Sequence, residues 1–201
     1  MENKNLRTVN YYDAHAEEWV EKHNGYEERT YWPDEMRRFR ELLPEGKILE
    51  IGSGSGKDAS NLIRLGYDYT GIDASGGLLK IAEKRNPGGT FRKMSVQSLD
   101  FEKNTFNGFW TVATLLHIPK EEIYPSLRNI AEAVKLDGIG FISLKAGAGE
   151  REDKETGRWF SYYSGEEFAK ILRRNDFKLI ESGTRKGEKG YWLLFFVKVE
   201  K

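Results

Sequence analysis

The sequence has no cysteine and only three histidines. Without cysteine the chain cannot form disulfide bonds or thiolate metal sites. His15, His23 and His117 lie far apart in the sequence, and no pair of them has the spacing of a helical metal-binding motif. We therefore expect no metal site, and the function must come from other side chains.

An excess of charge of one sign is also lacking, since 32 Lys and Arg balance 32 Asp and Glu. A net charge of zero gives the protein no general electrostatic attraction to nucleic acid or to an anionic membrane, although it does not exclude a local basic patch. The apolar runs are far shorter than the ~20 residues of a membrane span. The polar N-terminus does not resemble a signal peptide. We expect a cytoplasmic protein that works without a membrane.

The chain of 201 residues is long enough for one α/β domain with a sizeable core. Residues 1–46 show no strand pattern and are expected to form a helical cap of the same domain, with helices over 10–22 and 34–43. Strands and helices alternate over residues 47–201, which predicts a mostly parallel, doubly wound sheet with helices on both faces. The expected strands are 47–51, 67–72, 90–94, 108–115, 139–144, 178–182 and 191–199.

Two segments outside these strands carry specific expectations. Ser164 and Glu167 have the spacing of a capping box, so a helix is expected to begin there. Residues 146–158 are charged and contain glycine, and we expect them to form a mobile loop. The last two strands are joined by a short charged turn and are expected to pair antiparallel.

A glycine-rich turn, EIGSGSG, follows the first expected strand from Glu50 to Gly56. Its glycines allow a tight turn and a close approach of the backbone to a ligand. The turn leads into a helix N-terminus, whose free N–H groups favour an anionic or electron-rich group. Ligands of doubly wound sheets bind beyond the carboxyl ends of the strands, so this turn marks the candidate site.

The spacing of this turn disfavours two common nucleotide sites. The dinucleotide fingerprint G-x-G-x-x-G would need glycine at the position of Lys57. A P-loop would need glycine there and lysine at the position of Asp58. A nicotinamide-dependent (NAD) oxidoreductase is therefore the weaker alternative, and the chain also shows no substrate domain of the kind such enzymes carry.

Two carboxylates make the ligand more specific. Asp73 ends the second expected strand, where it can accept hydrogen bonds from a ribose hydroxyl pair. Glu50 ends a buried strand, and an unpaired carboxylate there is costly unless a ligand ammonium pairs with it. The alternatives are a helix-capping Asp73 and a Glu50 paired with a nearby Lys or Arg. A ligand with an adenosine half and an amino-acid half, as in S-adenosylmethionine, satisfies both carboxylates.

Three segments resemble motifs of the class I S-adenosylmethionine-dependent methyltransferases, in particular the small stand-alone bacterial type. They are ILEIGSGSGKDA (48–59), GIDAS (71–75) and FNGFWTVATLLHIP (106–119). The resemblance implies a Rossmann-like sheet of seven strands in the order 3-2-1-4-5-7-6 with the last strand antiparallel, and the strand count above agrees. It also implies S-adenosyl-L-methionine as cofactor and methyl transfer as activity.

The resemblance further implies that the cofactor lies across the carboxyl ends of the strands, beneath the N-terminal helix. The adenine position departs from the family pattern, because Ser95 stands where relatives often have Asp, and we assign the adenine contact to residues 96–98. The expected cofactor-binding residues are Tyr12, Glu50, Gly52, Ser53, Gly54, Gly56, Asp73, Ala74, Ser75, Val96, Gln97, Ser98, Thr114 and Leu115.

The acceptor side is less well defined by the sequence. His117, just after the fourth strand, is the candidate general base, and Lys145 faces the same rim; a structural role is the alternative for each. An anionic or polar acceptor is expected to meet Arg151, Arg158, Tyr162 and Tyr163. Trp19, Trp159 and Tyr163 could form an aromatic wall.

The expected partner is a small-molecule substrate, and the chain is expected to be a monomer or a homodimer. Nucleic-acid methylation is disfavoured by the neutral charge. It is also disfavoured because Thr114-Leu115-Leu116-His117 replaces the Asn/Asp-Pro-Pro-Tyr/Phe signature. A non-catalytic S-adenosylmethionine-binding protein is the remaining alternative. The sequence does not identify the acceptor.

Overall fold

The computed structural model describes residues 4–23, 31–188 and 190–201. The helices are α1 Lys4–Ala14, α2 Ala16–Lys22, α3 Pro33–Leu42, α4 Lys57–Arg64, α5 Gly76–Arg85, α6 Ile123–Ala133 and α7 Gly165–Arg173. The strands are β1 Lys47–Ile51, β2 Asp68–Asp73, β3 Thr90–Lys93, β4 Phe106–Val112, β5 Val134–Lys145, β6 Glu150–Glu152, β7 Trp159–Ser161, β8 Phe177–Gly187 and β9 Gly190–Val199. Short 3₁₀ turns occupy Val96–Ser98, Leu115–His117 and Lys120–Glu122.

The main sheet has seven strands in the order β3-β2-β1-β4-β5-β9-β8. The first five of these strands run parallel, and β9 pairs antiparallel with both β5 and β8. Since β6 and β7 lie outside this sheet, β8 and β9 are the sixth and seventh strands of the sequence prediction. The predicted order and the antiparallel last strand are confirmed.

The sheet is covered on both faces because its central strands are apolar on both sides. In β1, Leu49 and Ile51 belong to the core cluster that includes α6 and α7, whereas Ile48 belongs to the cluster that includes α3 and α4. The parallel register places Glu50 beside Gly71 of β2 and Trp110 of β4. The last residues of β1, β2 and β4 therefore meet at one edge of the sheet.

The prediction of a mobile loop over 146–158 is wrong. Strand β6 lies within this segment and pairs antiparallel with β7, which follows it directly, and Asp153 closes the turn between them through its backbone and side chain. We call residues 150–161 the ribbon. Each of its strands has only three residues, which is too short to show alternation in the sequence.

Three element boundaries also differ from the sequence prediction. The predicted helix over 10–22 is two helices, because His15 has a non-helical φ of −119° and its Nδ1 bonds the Tyr11 carbonyl oxygen at 2.8 Å. Strand β4 ends at Val112, since Ala113 adopts a left-handed φ of 54°. Strand β5 begins at Val134, five residues before the expected start at residue 139.

The N-terminal helices are fastened to the start of α5. Asp13 accepts hydrogen bonds from the Ser75 hydroxyl at 2.7 Å and from the Gly77 N–H at 2.8 Å. The backbone packs closely here, because a Cβ on Gly77 would lie 2.9 Å from the Asp13 carbonyl oxygen. Since α5 follows β2, this contact holds α1 over the carboxyl edge of the sheet.

Side-chain caps stabilise two helix N-termini. Ser75 caps α5 by accepting a bond from the Leu78 N–H, and Ser164 and Glu167 form the predicted capping box of α7. Among the residues that the structure describes, no helix has the length and apolar character needed to span a membrane.

Replacing Gly77 with Ala is expected to loosen α1 and α2, because the new methyl group meets the Asp13 backbone. Hydrogen exchange should show faster exchange of amides in α1 and α2 while β1, β4 and β5 keep their protection. Gly183→Ala is the matched control, since nothing lies within 4 Å of a Cβ at that position. Unchanged exchange in Gly77→Ala would contradict the described packing.

Candidate functional site

A cavity of about 370 Å³ lies at the carboxyl ends of β1, β2 and β4, with α1 along one side. This volume falls within the ~300–1,000 Å³ of small-molecule sites. Nine of the predicted cofactor-binding residues line the cavity: Tyr12, Gly52, Gly54, Asp73, Ala74, Ser75, Val96, Gln97 and Thr114. The structure thus brings together residues that the sequence separates by about a hundred positions.

The glycine-rich turn forms one wall of the cavity. The N–H groups of Gly52 and Ser53 both donate to the Ile72 carbonyl oxygen, at 2.8 and 2.9 Å, which ties the turn to β2. Gly52 has a left-handed φ of 74°, and a Cβ there would overlap the Thr114 side chain. Only glycine therefore lets the end of β1 lie against the loop after β4.

Backbone N–H groups from two different segments fix the Asp73 carboxylate. Its Oδ2 accepts from the Gly54 N–H at 2.9 Å and its Oδ1 accepts from the Ser75 N–H at 2.8 Å. Burial raises the pKa of Asp73 despite these bonds, and the nearby charge of Asp13 raises it further. Each carboxylate oxygen keeps a second lone pair, so Asp73 can also accept from two hydroxyl groups of a ligand.

Glu50 is buried and does not belong to the cavity lining. Its carboxyl group accepts a hydrogen bond from the Tyr69 hydroxyl. Burial raises the pKa of Glu50 well above its usual range, and the charge of Asp58 adds to the effect. Asp58 itself accepts from the Trp110 indole N–H at 3.0 Å. A contact between Glu50 and a ligand ammonium stays a prediction, because the observed partner is a protein hydroxyl.

The other predicted residues outside the lining have clear positions. Ser53 and Leu115 are buried, Ser98 is exposed, and Gly56 begins α4 with a left-handed φ of 77°.

At the far end of the cavity, Gln97 connects three elements. Its side-chain oxygen accepts from the Asn5 amide of α1, and its side-chain amide donates to Glu122. Ser95 stabilises the same 3₁₀ turn by donating to the Gln97 side-chain oxygen at 3.1 Å. This end of the cavity is closed by polar side chains whose donors and acceptors are already paired with one another.

His117 lies in a continuous hydrogen-bond network. Its Nδ1 lies 2.7 Å from the Trp159 carbonyl oxygen, so Nδ1 carries the proton, and Nε2 accepts from the Tyr12 hydroxyl at 3.1 Å. The Tyr12 oxygen in turn accepts from Arg158 at 2.9 Å. Burial lowers the pKa of His117 to about 4, and the charges of Arg158 and Lys145 contribute. His117 is therefore neutral near pH 7, with both ring nitrogens bonded.

Most of the predicted acceptor residues lie away from the cavity. Tyr163 is completely buried against Phe168, so a solvent-borne acceptor cannot reach it in this structure. Arg151 of the ribbon stacks on Tyr162, the residue after the ribbon, at 4.2 Å, and neither residue lines the cavity. Lys145 lies 5.7 Å from the Phe160 ring and is also outside the lining.

Arg158, Trp159 and Trp19 lie close to the cavity. Arg158 contacts Tyr12 and Trp19, and these two residues line the cavity. The Trp159 N–H donates to Thr8 of α1 at 2.9 Å, while the Trp159 indole N–H donates to Glu150 at 3.2 Å.

Sequence reasoning missed the face of α1 that lines the cavity. Asn5, Thr8, Val9 and Tyr12 all belong to this lining. Their spacing of three, four and seven residues from Asn5 is that of one helical face. Tyr12 was predicted, and beginning the helix at residue 4 instead of residue 10 would also have identified Asn5, Thr8 and Val9. In the described part of the chain, no cluster of three or more His, Asp or Glu side chains could hold a metal ion.

Comparison with known proteins agrees with this geometry. Residues 48–138 match a family model described as a methyltransferase domain. Over these residues the chain is similar to methyltransferase domains. The matched residues include the glycine-rich turn, Asp73 and the loop after β4, all of which contribute to the cavity lining. No curated protein sequence matches the chain significantly.

Solved structures of methyltransferases share the fold of this domain. A SAM-dependent methyltransferase from Methanosarcina mazei is 19% identical with a TM-score of 0.74, covering 86% of this chain and 99% of its own. The 1,6-didemethyltoxoflavin-N1-methyltransferase of Burkholderia thailandensis, solved with its substrate and S-adenosylhomocysteine, is 19% identical with a TM-score of 0.72, covering 96% and 91%. The [4+2]-cyclase SpnF is 16% identical with a TM-score of 0.76, covering 96% and 94%.

The His117 network predicts a pH dependence of stability. Because the folded chain holds the pKa of His117 at about 4, below its usual 6.5, the unfolded chain binds the proton first. The contribution of neutral His117 is complete above pH 6.5 and is lost as the pH falls toward 4, up to about 3 kcal/mol.

Urea unfolding from pH 4 to 8 measures this dependence. His117→Gln removes the titrating group, so the stability difference between the wild type and the variant should shrink on acidification. Parallel pH profiles for the two proteins would contradict the assigned protonation state.

Proposed function

We propose that the protein is an S-adenosylmethionine-dependent methyltransferase that acts on a small-molecule acceptor. One observation carries this proposal: Gly52, which is packed against Thr114, and Asp73, which is fixed by two backbone N–H groups, face the same cavity. Gly52 lets the backbone approach the ligand closely, and Asp73 provides acceptors for a pair of ribose hydroxyls.

The residues present fit the proposed cofactor. Asp73 would hold the ribose, with Ala74 and Ser75 beside it. Val96 and Gln97 would lie along the adenine, and the amino-acid half would lie near Gly52, Gly54 and Thr114. The bound S-adenosylhomocysteine in the Burkholderia thailandensis methyltransferase supports the same type of ligand for this fold.

The cofactor supplies a methyl group on a sulfonium, and the chain contributes mainly by position and exclusion of water. Helix α1 covers the cavity, and its Thr8 and Tyr12 contact the ribbon and the loop after β4. Holding two reactants in line lowers a barrier by ~7–11 kcal/mol, whereas a general base adds ~10²–10⁴-fold. For His117 to accept a proton, Tyr12 must first release Nε2, so general-base catalysis by His117 stays a prediction.

Four further points of the proposal rest on the sequence. The neutral net charge of the sequence supports a small-molecule acceptor and disfavours nucleic acid as the acceptor. We also propose residues 1–46 as a cap belonging to the same domain, which the packing of Asp13 against α5 supports. A cytoplasmic location and a monomeric or homodimeric state complete the proposal.

The fold alone does not establish methyl transfer, since the [4+2]-cyclase SpnF shares it. A screen of small acceptors that measures S-adenosylhomocysteine formation separates an enzyme from a non-catalytic binding protein. Formation with at least one acceptor is expected. Cofactor binding without transfer to any acceptor would favour the non-catalytic alternative.

Asp73→Asn is expected to weaken S-adenosylhomocysteine binding about 10- to 100-fold, because charge-assisted hydrogen bonds to the ribose become neutral ones. Isothermal titration calorimetry measures this change. Asp68→Asn is the matched control on the same strand, since Asp68 is exposed at its opposite end. Absence of wild-type binding at millimolar ligand, or equal affinity for both variants and the wild type, would overturn the assignment.

A further inference from the structure

Arg158 lies on the ribbon in a pocket made mainly of aromatic rings. Its guanidinium carbon is 4.9 Å from the ring centre of Tyr11, 5.2 Å from that of Trp19 and 5.3 Å from that of Phe160. Such faces stabilise a cation and also restrict its position. The half-buried side chain is therefore held at one place beside the cavity.

The polar contacts of Arg158 are with hydroxyl groups. Nη1 donates to Tyr12 at 2.9 Å and Nε donates to Thr156 at 3.1 Å. The Thr156 hydroxyl donates to Asp153 at 2.7 Å and so stands between the ribbon carboxylate and the guanidinium. Among the described residues, Arg158 makes no ion pair with a carboxylate, although guanidinium groups bind carboxylates bidentately.

The cavity next to Arg158 has an unbalanced charge. Of the residues that line it in the described chain, Asp73 alone is an acidic residue, and none is Lys or Arg. A ligand with an amino-acid end brings a carboxylate, which needs a positive partner when it leaves water. Arg158 contacts Tyr12 and Trp19 of the lining, and these contacts hold its positive charge beside the cavity.

We propose that Arg158 is the counter-ion of the carboxylate at the amino-acid end of the bound cofactor, and that Tyr12 positions it. This inference rests on the proposed function. It places a cofactor contact on the ribbon after β5, whereas the sequence assigned Arg158 to the acceptor.

The position of Tyr12 favours the cofactor over an anionic acceptor as the source of the carboxylate. Tyr12 lines the same cavity as Gly52 and Thr114, which are the residues proposed for the amino-acid half, and its hydroxyl bonds His117 just beyond Thr114. Asp73 and Gln97 lie toward the adenosine half. The carboxylate and the ribose would thus contact oppositely charged residues at separate parts of one cavity.

Two related ligands test this inference by calorimetry on the full chain. S-Adenosylhomocysteine has the amino-acid end, whereas 5′-methylthioadenosine keeps the adenosine and the thioether and lacks the carboxylate and the ammonium. Arg158→Gln should weaken binding of S-adenosylhomocysteine about 10- to 100-fold and leave binding of 5′-methylthioadenosine within about twofold. Arg158→Lys keeps the charge and should recover part of the loss.

Arg173→Gln is the matched control, because it removes the same charge from the exposed surface of α7. It should leave both affinities unchanged. Equal weakening of both ligands by Arg158→Gln would overturn the inference, since it indicates a structural role. Unchanged S-adenosylhomocysteine affinity would also overturn it, and a rise in acceptor KM alone in that variant would assign the anion to the acceptor.

Failure of this inference is distinguishable from failure of the proposed function. If wild-type protein binds S-adenosylhomocysteine and Arg158→Gln binds it equally well, the inference fails and the cofactor assignment stands. If wild-type protein binds neither ligand, both are wrong.

Discussion

The Asp73 carboxylate makes the hydrogen bonds on which the rest of the site depends. It accepts from Gly54 in the turn after β1 and from Ser75 at the start of α5, so one side chain fixes two elements. Ser75 then donates to Asp13, which holds α1 in place. The position of the N-terminal helix over the cavity therefore follows from a residue at the end of β2.

Helix α1 also connects the two halves of the site. Its Asn5 bonds Gln97 at one end of the cavity, while Thr8 and Tyr12 bond the ribbon at the other. Because the ribbon follows β5 and the 3₁₀ turn follows β3, this single helix contacts segments from opposite halves of the sheet. A movement of α1 that opens the cavity must therefore break hydrogen bonds to Gln97 and to the ribbon, so we expect the two ends of the cavity to open together.

The sequence predicted those parts of the structure that local patterns determine. The count of seven strands and the Ser164–Glu167 capping box follow from apolar periodicity and cap spacing, whereas the strand order followed from the resemblance to methyltransferase motifs. The ribbon was missed because it pairs two three-residue strands through Asp153 in a charged segment. The hydrogen bond between Glu50 and Tyr69 was missed because it joins two different strands, and the complete burial of Tyr163 was missed because it depends on tertiary packing against Phe168 of α7.

The central claim is that the cavity beneath α1 holds S-adenosylmethionine with its ribose on Asp73. A crystal structure with S-adenosylhomocysteine tests it most directly. We expect electron density for the ribose hydroxyls within hydrogen-bond distance of the Asp73 carboxylate, with the adenine beside Val96 and Gln97. Density for the ligand outside this cavity, or a ribose held by other residues, would contradict it.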